Sequence, residues 1–224
     1  MTFVALWALF KREAKLAWAG GGGAAGPAAF NLAALALAPL AMGPSPELLS
    51  QAGPGIVAFS LLLSTLQPAE RLFGDDVGDG TLDLYALCGQ SLTLISLVKT
   101  LAFAFAVFWP APMIALIGGL AYGLPFEAAA TLAFGLSLAI PGLAMITAFA
   151  GALAAGIKRS GLLIALIAAP LQTPLLIFAA GAGREALNAT GRADANLLLT
   201  LAVSLMLLVL SPAGIAAALK ARLD

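Results

Sequence analysis

Six long apolar stretches carry most of the chain, separated by short turns rich in glycine, proline or charge: residues 24–42, 48–67, 95–119, 128–153, 161–182 and 195–216. Each is close to the roughly 20 residues a helix needs to cross a bilayer's hydrocarbon core. Strand-like alternation of apolar and polar positions is absent, which argues against a membrane barrel. The pattern predicts an all-α polytopic membrane protein, a single transmembrane domain over residues 1–224 with six transmembrane helices.

Residues 1–20 follow a different pattern. At 100° per residue, Phe3, Trp7, Phe10, Ala14 and Trp18 share one face, with Ala8, Lys11, Arg12 and Lys15 on another. That arrangement suits an amphipathic helix in the membrane interface, its basic face toward anionic headgroups. A cytoplasmic extension of the first span accounts for the same residues. The apolar run precedes the positive charges, the reverse of a cleavable signal peptide. Gly20 to Gly23 read as a hinge into the first span, and Gly43-Pro44-Ser45-Pro46 as the stiff turn that ends it. Within the spans, Pro110 and Pro112, Pro141-Gly142, and Pro170 with Pro174 are expected to interrupt helices. Each proline also frees a carbonyl that a neighbouring group must satisfy.

Charge sets the expected orientation. With the N-terminus inside, Lys11, Arg12, Lys15, Arg71, Lys99, Lys158, Arg159, Lys220 and Arg222 fall on the inner side, and Arg184 and Arg192 outside. This bias places both termini in the cytoplasm. Composition agrees with a membrane protein, 62% of residues being hydrophobic and 10% charged. The chain has no histidine and one cysteine, Cys88, which excludes an internal disulfide, a Cys/His metal site and histidine ligation of haem. No basic patch points to nucleic acid.

Five of the eleven acidic residues crowd into Glu70 to Asp83: Glu70, Asp75, Asp76, Asp79 and Asp83, opposed locally by Arg71. Carboxylates are costly in hydrocarbon, so the 68–92 loop is expected to face water or a protein partner. A calcium loop fails. Asp75, Asp79 and Gly80 fit positions 1, 5 and 6 of the EF-hand pattern, but Val77 and Ala86 stand where ligands are required. No phosphate-binding glycine loop, nucleophile elbow or histidine base is present, so no catalytic residues are assigned. Lys99 is expected to snorkel from the third span, and Glu127 to sit at the edge of the fourth. Asn31, Gln172 and Thr173 suit interhelical hydrogen bonds. Leu72 and Phe73, set between charges and followed by a short helix from Thr81 capped by Asp79 or Thr81, suit docking into a cleft on a soluble partner. A solvated connector accounts for the composition equally well.

Glu70-Arg-Leu-Phe-Gly-Asp-Asp-Val-Gly-Asp-Gly-Thr-Leu82 resembles the signature loop of the CcmB family, the permease subunit of the cytochrome c maturation system. Gly43-Pro-Ser-Pro-Glu-Leu-Leu49, Gly53-Pro-Gly-Ile56, Lys158-Arg-Ser-Gly-Leu-Leu163 and Pro170-Leu-Gln-Thr-Pro-Leu-Leu-Ile-Phe178 agree with it. The resemblance implies an ABC-2-like exporter membrane domain with a cytoplasmic coupling loop, in a bacterial inner membrane. It further implies a separate ATPase subunit, CcmA, docked on Glu70, Arg71, Leu72, Phe73, Asp75, Asp76, Asp79, Gly80 and Asp83. CcmC, CcmD, the haem chaperone CcmE, membrane lipid and a second copy of the chain are the other implied partners. On that footing the chain is not itself an enzyme and binds no cofactor directly, haem being the cargo of the complex. Two other classes fit the bare residues: an ABC-2-type exporter of another substrate, such as a lipid-linked glycan, and an ion- or proton-coupled carrier acting alone.

Overall fold

The computed structural model describes residues 3–19, 25–43, 45–87, 89–157 and 160–223. Gly20 to Gly23, Pro44, Cys88, Lys158 and Arg159 lie outside them, and with them the expected hinge and parts of two motifs. The described residues form ten helices and no strand: α1 Phe3–Ala19, α2 Ala25–Met42, α3 Pro46–Leu66, α4 Ala69–Gly78, α5 Thr81–Leu87, α6 Leu92–Phe108, α7 Ala111–Ala121, α8 Phe126–Ala154, α9 Gly161–Leu187 and α10 Ala193–Lys220. Among these residues, six helical stretches are long and apolar enough to cross a membrane: 25–42, 46–78, 92–121, 126–154, 161–187 and 193–220. The expected spans correspond to them one for one; the second stretch runs eleven residues past its expected end because it takes in α4, and residue 24 lies outside the described residues.

The prolines divide into two kinds. Trp109 and Pro110 do break the third span, α7 restarting at Ala111 with Pro112 in its first turn, where its missing N–H costs nothing. Pro141, Pro170 and Pro174 do not interrupt: α8 and α9 run straight through them. Neighbouring helices make such continuity tolerable by supplying polar partners. Ser204 Oγ on α10 accepts the Gly142 N–H at 3.0 Å. In α2, where Pro39 cannot donate to the carbonyl of Leu35, the Tyr122 hydroxyl donates instead at 2.6 Å.

The central helix is α8, whose Leu132, Leu136, Leu143 and Met145 are fully enclosed between its neighbours. Small residues let those neighbours approach. A Cβ on Gly151 would sit 2.6 Å from the carbonyl oxygen of Ala69, so α4 starts directly on the α8 backbone. Membrane helices gain little from hydrophobic association and depend instead on such close packing and on polar links. Gln172 supplies one link, donating to Thr147 Oγ1 at 2.8 Å and accepting from Thr65 Oγ1 at 3.1 Å, which ties α9 to α8 and α3. Asn31 accepts from Ser60 as an interhelical bond, whereas the Thr173 hydroxyl donates to the Ala169 carbonyl within α9.

Candidate functional site: an acidic helix pair strapped to the bundle

The segment expected as a loop with a short helix from Thr81 is two helices, α5 starting at Thr81 as expected and α4 preceding it. In α4 the positions Ala69, Leu72, Phe73, Asp76 and Val77 recur at helical spacing and so share one face. That face packs against the cluster containing Phe103, Val107, Met145 and Ala148, leaving Phe73 only 1% exposed. The expectation that Leu72 and Phe73 serve as exposed anchors is therefore corrected, because the 3.6-residue period turns both inward. The apolar groups presented outward lie instead on α5, one turn apart: Leu84, 61% exposed, and Leu87, 83% exposed. Both lie in the short helix expected from Thr81, but the anchors expected by number were Leu72 and Phe73.

The same periodicity carries Asp76 inward, against the expectation that all the carboxylates face water. It is received by Lys99 of α6, whose Nζ lies 2.7 Å from Asp76 Oδ2 and 2.8 Å from Glu13 Oε2 on α1. Lys99 stands about 10 Å along α6 from its first residue, and its side chain is 7% exposed. It does not snorkel, because two carboxylates reach it before any headgroup can. The ammonium also lies 5.9 Å from the centroid of the Phe73 ring, within cation–π range. Glu13 is held from its other side by Arg12 at 2.6 Å, and Arg12 in turn donates to the Tyr85 hydroxyl of α5 at 3.2 Å. Burial pushes the Tyr85 phenol pKa up, keeping it neutral and able to donate in turn. Tyr85, Arg12, Glu13, Lys99 and Asp76 thus form one chain across α5, α1, α6 and α4. The ammonium and the guanidinium balance the two carboxylates, which is the condition for burying charge without a large penalty.

Both ends of α4 are fastened as well. Glu70 Oε1 accepts from the backbone N–H and the hydroxyl of Ser160, at 3.2 and 3.0 Å, joining the start of α4 to the start of α9. At the α4–α5 joint, Gly80 takes φ +77°, a conformation that suits glycine. Asp79 Oδ1 accepts the Thr81 N–H at 2.9 Å and starts α5, as expected of a cap. Hydrogen bonds from Thr81 hold the Asp79 carboxyl below the usual carboxylate range. The expected docking residues therefore separate. Leu72, Phe73 and Asp76 are committed to the interior, Glu70 is exposed yet engaged with Ser160, and Gly80 shapes the joint. Arg71, Asp75, Asp79 and Asp83 remain on the surface. Glu13 belonged to no expected site, although an acidic residue one turn after Leu9 in an otherwise basic, apolar helix was a legible sign of an internal partner.

These features define a polytopic α-helical membrane protein in which a surface acidic helix pair is strapped by buried ion pairs to an N-terminal amphipathic helix and the third span. No cluster of three potential metal-ligating residues occurs among the described residues. The chain belongs to the CcmB protein family, whose model matches residues 4–222. It is 38% identical over 217 residues to heme exporter protein B of Paracoccus denitrificans, covering 96% of this chain and 99% of that one. To heme exporter protein B of Pseudomonas aeruginosa it is 36% identical over 216 residues, 95% of each chain. The Escherichia coli K12 protein of the same name is 34% identical over 176 residues, 79% of this chain and 80% of its own. The resemblance read from residues 70–82 is thereby that of the chain's own family.

Proposed function

We propose that this chain is the membrane subunit of an ABC-type haem-export complex of cytochrome c maturation, driven by a separate ATPase seated on α4 and α5. Its full-length relatives are named as heme exporters, which supports the cargo. The single observation that carries the docking is the division of labour within the helix pair. Its apolar face is spent inside the bundle, while Asp75 and Asp83, with Leu84 and Leu87, stand outward at the surface, and Asp79 beside them caps α5. An acidic rim beside two apolar side chains offers a basic partner both charge complementarity and an anchor. On this reading α4 and α5 face the cytoplasm of a bacterial inner membrane, as do both termini. The ATPase is of the CcmA type, working beside CcmC, CcmD and the haem chaperone CcmE, and a second copy of the chain pairs with the second ATPase.

Force on α5 reaches α1 through Tyr85 and Arg12, and force on α4 reaches the third span through Asp76 and Lys99. ATP hydrolysis on the partner chain then shifts the spans and promotes release of haem-loaded CcmE on the far side. Reversing Asp75 and Asp83 to lysine, with Asp76 and the Asp79 cap left intact, should abolish co-purification with the ATPase and halt c-type cytochrome assembly. Membrane levels of the chain should stay normal. Retention of both functions in that variant rules the dock out.

A further inference from the structure

A lateral groove of about 230 Å³ runs between α3 and α9, open to the surrounding lipid. Gly55 and Phe59 of α3 and Thr173, Ile177 and Gly181 of α9 line it, with Arg184 at one end. From Thr173 to Arg184 the groove follows eleven residues of α9, about 16 Å of helix. Ser160, next to the start of α9, touches the acidic helix pair, so Arg184 near the other end of α9 lies on the opposite side of the bundle. The Arg184 guanidinium reaches across to α3, where a Cβ on Gly55 would lie 3.8 Å from its Nη2. It is the sole ionisable side chain in the lining, and no carboxylate among the described residues lies within ion-pair distance of it.

We infer that this groove binds a carboxylated tetrapyrrole by its acid groups, with Arg184 clamping a propionate and the apolar walls holding the ring edge. A lone guanidinium at the rim of an apolar slot selects an amphiphile with an anionic head, and its planar fork matches a carboxylate in two parallel hydrogen bonds. The lining contains no histidine, methionine, cysteine or tyrosine, so the central iron finds no axial ligand there. Recognition is therefore of the carboxylates and the ring, not of the metal. A slot of this volume encloses one edge of the ring and leaves the other against lipid, which suits entry and exit sideways through the bilayer. The choice of a tetrapyrrole over another anionic amphiphile rests on the haem-export function proposed above.

The test is a titration of the purified full-length chain in nanodiscs of zwitterionic lipid with metal-free protoporphyrin, followed by fluorescence anisotropy. Haemin and protoporphyrin dimethyl ester serve as competitors. Haemin should displace the metal-free ring as readily as the ring displaces itself, and the dimethyl ester should not compete. Arg184→Ala should weaken binding roughly ten- to a hundred-fold, the range for losing a hydrogen-bonded charge. Gly55→Leu fills the slot while keeping the arginine, at a position where a Cβ meets Arg184 Nη2 at an ordinary contact distance of 3.8 Å, and should abolish binding in a folded chain. Unchanged affinity in Arg184→Ala, or competition by the ester equal to that of haemin, overturns the inference. So does displacement by phosphatidylglycerol as effective as that by haemin, which would make the groove a lipid site. Cytochrome assembly in cells is scored separately. Should assembly survive loss of the chain while the titration behaves as stated, the haem-export function falls and the porphyrin site stands.

Discussion

Replacing Lys99 by methionine removes the charge at the centre of the strap while keeping an unbranched side chain of similar length. Two contacts, of 2.7 and 2.8 Å, disappear, and two carboxylates are left behind with side chains no more than 10% exposed. Glu13 keeps Arg12 at 2.6 Å, so Asp76 is the stranded group. Breaking a buried pair from one side costs about 3–5 kcal/mol because the remaining charge is uncompensated. A second route gives a similar ceiling. At pH 7 the carboxyl can take up a proton instead, and doing so from an ordinary carboxylate pKa costs about 4 kcal/mol. Asp76→Asn alone should cost less, since the amide still accepts from Lys99 and Glu13 remains in place. Removing both Asp76 and Lys99 charges leaves no stranded group. The double variant should therefore be more stable than Lys99→Met alone. Thermal unfolding of the wild type, both single variants and the double variant in one detergent checks this as a mutant cycle, with an expected coupling of about 2 kcal/mol or more. Additivity to within about 0.5 kcal/mol would mean that the pair is not energetically joined.

Two further substitutions probe the frame around the site. Gly151→Ala places a methyl 2.6 Å from the Ala69 carbonyl and must push α4 off α8. It should destabilise the chain by about 1–3 kcal/mol and raise protease sensitivity at the α3–α4 junction, measured by limited proteolysis. Tyr122→Phe deprives the Leu35 carbonyl of its side-chain donor where Pro39 offers none, at a cost of about 1–3 kcal/mol, read from the midpoint of thermal unfolding.

The spans were legible in the sequence because each is an unbroken apolar run of membrane length, and no tertiary detail is needed to see one. The break at Pro110 was legible too, whereas continuity through Pro141, Pro170 and Pro174 was not, because it is set by packing against neighbouring helices that sequence spacing cannot reveal. The acidic segment illustrates the same limit within fourteen residues. Its cap at Asp79 is local, two residues from its donor, and was foreseen. Its burial of Asp76 depends on Glu13 and Lys99, 63 and 23 residues away, and a pattern of like charges in one segment conceals that opposite charge elsewhere is meant for it. Helical periodicity alone already set Asp76 beside Phe73, so the signal was present but outweighed by the rule that carboxylates avoid hydrocarbon.

A photo-reactive amino acid placed in turn at Leu84, Leu87 and Asp79 reads whether α4 and α5 receive the ATPase. Leu40, equally exposed near the far end of α2, serves as the control. Irradiation of membranes containing the whole complex should link the first three positions to the ATPase subunit and leave Leu40 unlinked to it. Cross-links from Leu84 and Leu87 to lipid alone, with none to the ATPase at any of the three positions, would mean that the ATPase does not sit on α4 and α5.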